Sequence, residues 1–84
     1  MKIFEYQQML VSIESQNSAV NNEVDAIYQY TELMKAGKLN AQEYAELLRD
    51  IQRTLEINKA VVEQEHLSTI NTAINGLVNL AGMV

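Results

Sequence analysis

One short stretch of the sequence places a carboxylate and an imidazole where they could act together. Glu63 and His66 are three residues apart, so on a helix both side chains would lie on one face. Di-metal carboxylate bundles use two such Glu-x-x-His steps and two further glutamates. Glu14 is the nearest candidate for a further ligand, but Glu14 and Glu63 both lie beside the apolar seam described below. We therefore expect no metal site and no cofactor, and we expect an interfacial or half-exposed histidine.

No other pattern in the sequence is typical of an enzyme. The chain has no cysteine and a single histidine, and no serine and acid are spaced around that histidine as a catalytic triad requires. A glycine-rich phosphate loop is also missing. The net charge is −5 without a basic run, which argues against binding to nucleic acid or to an anionic membrane surface. We expect a protein that is not an enzyme and has no small-molecule substrate.

Residues 35–44 carry the signals of a tight turn between two helices. Gly37 can adopt the left-handed conformation that ends helices. Asn40 is a good N-cap, and Glu43 can complete a capping box by reaching back to the Asn40 backbone. Because the connection is short, the two helices should run antiparallel.

The apolar spacing predicts two long helices on either side of this turn. In the first, steps of three and four alternate without interruption, as in a heptad seam. We predict an all-α, coiled-coil-like hairpin with helix 1 at about residues 2–36, a turn at 37–39 and helix 2 at about 40–82. A break near Asn21 remains an alternative, since residues 15–22 are poor helix formers. The first seam comprises Ile3, Tyr6, Leu10, Ile13, Asn17, Val20, Val24, Ile27, Thr31 and Met34.

The second seam contains one irregularity. Between Val62 and Ile70 the steps become four and four, which is a stutter that locally unwinds a left-handed supercoil. The members of this seam are Tyr44, Leu48, Ile51, Leu55, Asn58, Val62, His66, Ile70, Ala73 and Leu77.

Folding the chain back at Gly37 pairs the two seams. Thr31 then lies opposite Tyr44, and Asn17 lies opposite Asn58. We expect a buried hydrogen bond between these two asparagines that fixes the register, as a core asparagine does in coiled coils. The alternative is that both amides face water through a gap in the seam.

The remaining apolar residues predict a second contact surface. Residues 67–84 contain no charged side chain, and three asparagines make this stretch too polar for a transmembrane span. Burial against another protein explains such a segment, so we expect self-association or docking on a heterologous subunit in a larger helical bundle. The residues assigned to the interaction surface are Phe4, Val11, Tyr28, Tyr30, Leu33, Leu47, Ile57, Val61, Leu67, Ile74, Leu77 and Val78.

In size, charge and layout the chain resembles two kinds of small helical protein. These are the export chaperones of type III secretion systems and the all-helical components of bacteriophage particles. The resemblance implies either a structural subunit of a virion or secretion apparatus, or a chaperone or adaptor that holds one protein partner. Polar residues interrupt the N-terminus before a secretory signal could form, so we expect a location in the cytoplasm or within an assembled particle.

Overall fold

A computed structural model describes residues 2–14, 20–58, 62 and 64–82, and these residues are almost entirely helical. The prediction of an all-α chain is confirmed for this part of the sequence. Four helices follow one another along the chain: α1 (Ile3–Glu14), α2 (Asn21–Lys35), α3 (Ala41–Ile57) and α4 (Gln64–Gly82).

The prediction of two long helices is not confirmed. Gln7 Nε2 of α1 donates a hydrogen bond to Glu32 Oε1 of α2 at 2.9 Å, whereas 25 residues of continuous helix would separate the two positions by about 37 Å. A helix spanning residues 2–36 would also be about 52 Å long, and the longest dimension of the fold is 34 Å. Helix α1 is therefore folded back against α2.

Both interruptions coincide with weak helical signals in the sequence. Val20 precedes α2 with φ −113° and ψ 8°, next to the serine- and asparagine-rich stretch of poor helix propensity. Asn58 ends α3 with φ −95° and ψ 13°, just before the stutter. Asn58 is exposed, so its predicted role in a buried asparagine pair is corrected: it is a helix C-cap. Asn17 lies outside the described residues.

The four helices form an antiparallel arrangement in which each packs beside its neighbours in sequence. Helix α4 contacts all three other helices. The hydrogen bonds from Arg49 to Asn75 at 2.9 Å and from Gln52 to Asn71 at 3.4 Å show that α3 and α4 run antiparallel, because the position rises along α3 as it falls along α4. Helix α4 thus closes the bundle between α3 and α1.

The predicted turn between α2 and α3 is confirmed in detail. Gly37 has φ +79°, and the backbone N–H of Lys38 bonds to the Leu33 carbonyl at 2.9 Å, as in a Schellman motif. The Asn40 side chain accepts from the Glu43 N–H at 2.8 Å, and the Glu43 carboxylate accepts from the Asn40 N–H at 3.2 Å. This capping box starts α3 at the predicted position.

The apolar end of the chain is buried by the chain itself. Six α4 side chains lie in the core, and three of them, Leu67, Ile74 and Leu77, are at most 5% exposed. This corrects their assignment to the interaction surface, because they contact the other helices of the same bundle. The charge-free composition of residues 67–82 follows from the central position of α4. The buried apolar residues are Leu10, Ile13, Val20, Val24, Ile27, Tyr44, Leu48, Ile51, Leu55, Val62, Leu67, Ile70, Ala73, Ile74, Leu77 and Ala81.

A glycine of α4 lies against an aromatic ring of α1. A Cβ placed on Gly76 would overlap the ring of Tyr6. The ring therefore lies directly against the α4 backbone, and it is half-buried there.

Candidate interaction surface

Large apolar side chains are exposed mainly on the first two helices. Phe4 is 65% exposed and Val11 43% on α1, while Tyr28 is 36% and Leu33 39% on α2. Ile57 at the end of α3 is 81% exposed. Single exposed apolar residues are normal on protein surfaces, but contiguous groups mark contact sites. The question is therefore whether the four residues on α1 and α2 form one patch.

The Gln7–Glu32 hydrogen bond fixes how α1 and α2 are aligned. Phe4 and Val11 lie one turn to either side of Gln7, on the same face of α1. Tyr28 lies one turn before Glu32. Because the helices are antiparallel, Val11 and Tyr28 are at the same level along the bundle. We call Phe4, Val11 and Tyr28, together with Leu33, which lines a groove with Tyr28, the α1–α2 face.

Leu33 extends this face into a shallow groove at the end of α2. The groove has a volume of about 620 Å³, and Tyr28, Leu33 and Ala36 supply its apolar lining. Such a concave apolar site is wide enough to receive a side chain from another helix.

A polar bridge lies beneath the apolar residues of the face. Gln7 is 1% exposed, and its amide is satisfied by the Glu32 carboxylate, which also accepts from Lys35 Nζ at 3.3 Å. The hydrogen bond from Gln7, and secondly that from Lys35, lowers the pKa of Glu32 below its ordinary value. The face therefore combines apolar side chains with charged groups at its edge, as protein–protein interfaces do.

The structure leaves four residues of the predicted surface exposed on α1 and α2, namely Phe4, Val11, Tyr28 and Leu33. Tyr30 and Val78 pack partly against the core, and Leu47 is half-buried on α3. Ile57 is exposed away from the α1–α2 face, at the far end of α3. Val61 lies outside the described residues.

The residues considered for metal chemistry do not form a recognisable centre in the described part of the chain. Glu63 lies outside it. His66 is half-buried on α4 and lines a groove shared with Glu5 and Gln8 of α1. Among the described residues, no group of three or more side chains is placed to hold a metal ion.

A polar network between α3 and α4 was not predicted from the sequence. Arg49 donates to Gln52 Oε1 at 2.8 Å and to Asn75 Oδ1 at 2.9 Å. Gln52 also reaches Asn71 Oδ1 at 3.4 Å. The asparagines on α4 are evident in the sequence. Their partners on α3 could be identified only once the structure showed that the two helices pack together. This network aligns α3 with α4.

Comparison of the chain with known protein families, with curated proteins and with solved structures finds no match. None of the helices in the described ranges is long and apolar enough to cross a lipid bilayer.

Proposed function

We propose that this protein is a non-enzymatic assembly subunit that acts through helix–helix packing of the α1–α2 face in a larger complex, such as a phage particle or a secretion apparatus. The observation that carries the proposal is the exposure of Phe4 and Val11 on one face of α1, with the exposed Tyr28 of α2 at the level of Val11. Complete burial of such a side chain is worth roughly 1.5–3 kcal/mol. A partner that covers this face would gain a favourable contribution from each of these residues.

A second candidate function is that of a small chaperone or adaptor for one heterologous protein. The groove beside Leu33 supports this reading, since a concave apolar site suits the inserted side chain of an amphipathic helix. Both functions use the same face, and they differ in what occupies it.

Photo-crosslinking in cells of the source organism tests whether the face is used at all. A photoreactive amino acid at Phe4 should give an adduct of discrete mass. The same residue at Ile57 is the matched control, because Ile57 is more exposed than Phe4 but lies off the face. The proposal is contradicted if Phe4 gives no adduct, or if both positions give the same mixture.

A pair of substitutions adds an energetic test. Phe4→Ser should weaken the assembly by roughly tenfold, as expected for the loss of about 1.4 kcal/mol of apolar burial. Ile57→Ser should leave assembly unchanged. Both side chains are exposed, so we expect both variants to fold, and far-UV circular dichroism checks this.

A further inference from the structure

We infer that the α1–α2 face pairs with the same face of a second copy of this chain, in an antiparallel dimer with two-fold symmetry. The inference rests on the proposed function and names the occupant of the proposed surface. It depends on how charge is distributed along α1 and α2.

The two ends of the face carry opposite charge. Lys2, Lys35 and Lys38 lie at one end, near the start of α1 and the end of α2. Glu5 and Glu32 lie at the same end, and Glu32 is paired with Lys35 at 3.3 Å, so the cations are in excess there by one. Asp25 and Glu23 lie near the start of α2, at the other end. No lysine or arginine occurs between Lys2 and Lys35, so α1 and α2 supply no cation to the acidic end.

The charged residues lie on the same stripe of α2 as Tyr28. Asp25, Tyr28 and Lys35 are spaced by three and seven residues, so they share one side of the helix. Tyr28 lies between the acid and the base. A partner helix that crosses Tyr28 in the antiparallel direction therefore meets the acid and the base in reverse order.

A second copy has the required pattern. A two-fold axis between Tyr28 and Glu32, perpendicular to the helices, would place Lys35 over the partner's Asp25. The same axis would bring Phe4 towards the partner's Val11 and Tyr28. Each contact occurs twice in such an isologous dimer, and the assembly closes without forming a filament.

Charge exchange tests this arrangement. The molecular mass of the purified chain is measured by sedimentation equilibrium over a concentration series, for the wild type, Asp25→Lys, Lys35→Asp and the double variant. The wild type should show a monomer–dimer equilibrium. Each single reversal should weaken the dimer about tenfold, because like charges then face each other across the axis. The double variant should recover to within about threefold of the wild type.

Phe4→Ser and Ile57→Ser provide a second measurement that is independent of charge and of its effect on helix stability. Phe4→Ser should reduce dimerisation, and Ile57→Ser should not. A chain that stays monomeric, a dimer that is insensitive to the single reversals, or a double variant that does not recover would each overturn the inference. If the charge variants lose helicity, an unchanged dimer in Phe4→Ser overturns it.

The two proposals can fail separately. A monomeric purified chain, together with an adduct of a different protein at Phe4 in cells, overturns self-pairing and leaves the proposed function in place. An adduct with the mass of two chains supports both. A lack of any adduct at Phe4, with a monomeric purified chain, contradicts both.

Discussion

The hydroxyl oxygens of Thr31 and Tyr44 lie 2.6 Å apart at the contact between α2 and α3, and both side chains are 0% exposed. Thr31 Oγ1 is also 2.7 Å from the Ile27 carbonyl oxygen, to which it donates. A threonine hydroxyl has one proton, so the Tyr44 hydroxyl is the donor to Thr31 Oγ1. This chain of two hydrogen bonds joins the helices on either side of the turn.

The direction of these hydrogen bonds predicts an asymmetry between two substitutions. Tyr44→Phe removes the donor but leaves Thr31 bonded to Ile27, so it should lower the free energy of unfolding by about 1 kcal/mol. Thr31→Val leaves the Tyr44 hydroxyl buried without an acceptor, which should lower it by about 1–3 kcal/mol. Urea denaturation measures both. Equal losses, or a larger loss for Tyr44→Phe, would contradict the assigned direction.

Burial of Tyr44 also predicts a dependence of stability on alkaline pH. Burial raises the pKa of Tyr44 to about 12, and the hydrogen bond with Thr31 offsets this only in part. Between pH 10 and 12 the unfolded chain loses the phenolic proton while the folded chain keeps it, so stability falls as pH rises, by up to about 1.4 kcal/mol per unit.

The Tyr44→Phe variant isolates this contribution from those of all other ionisable groups in the chain. The difference in unfolding free energy between wild type and variant should be constant below pH 10 and should shrink above it. A difference that stays constant up to pH 12 would contradict the raised pKa.

The contact between Gly76 and Tyr6 predicts the effect of a small substitution. Gly76→Ala should lower the free energy of unfolding by about 1 kcal/mol, because the new methyl group displaces the Tyr6 ring and this outweighs the gain in helix propensity. Gly82→Ala is the control on the same helix, since a Cβ there would meet nothing within 4 Å. In a Tyr6→Ala background, Gly76→Ala should become stabilising. A destabilising effect in that background would show that the ring is not the obstacle.

The polar bridge beneath the α1–α2 face can be tested by titration. Gln7→Leu removes the main cause of the lowered pKa of Glu32, so this pKa should rise towards its ordinary value without reaching it, because Lys35 still donates. The wild type should therefore lose more stability than the variant as the pH falls through the pKa of folded Glu32. NMR of the Glu32 carboxyl carbon measures the shift, and Gln8→Leu, at an exposed neighbouring position, should leave it unchanged.

The sequence was informative where the signals were local. The turn is specified by the backbone and capping preferences of Gly37, Asn40 and Glu43. This turn then places Thr31 opposite Tyr44. None of this depends on contacts between distant parts of the chain. The α2–α3 hairpin could therefore be predicted in detail.

The spacing of the apolar residues did not predict that α1 and α4 fold back against the other helices. An apolar stripe with steps of three and four is needed to bury one face of a helix, whether that helix is part of a long rod or of a short bundle. The stripe therefore continued through both interruptions. The stutter between Val62 and Ile70 and the poor helix formers at residues 15–22 were the signals of a break, and each was weaker than the seam that spanned it.

The same ambiguity explains the errors in the predicted interaction surface. Leu67 and Ile74 lie off the seam of a two-helix hairpin and Leu77 lies at its end, but in the four-helix arrangement all three are buried. Phe4 and Val11 remain exposed on α1. Whether an apolar residue is exposed depends on how many helices pack around it. The spacing of apolar residues along one helix does not show how many helices those will be.

The most direct test of this account is a distance between α1 and α2. The chain has no cysteine, so cysteines introduced at Gln8 and Ala36, both exposed, can carry the only two spin labels. Dilution with unlabelled chain removes distances between copies. If α1 folds back on α2 and forms the α1–α2 face, the labels should be about 15–20 Å apart, given helix axes 8–10 Å apart. A distance near 42 Å, the value for about 28 residues of continuous helix, would contradict the fold and remove the face on which both proposals depend.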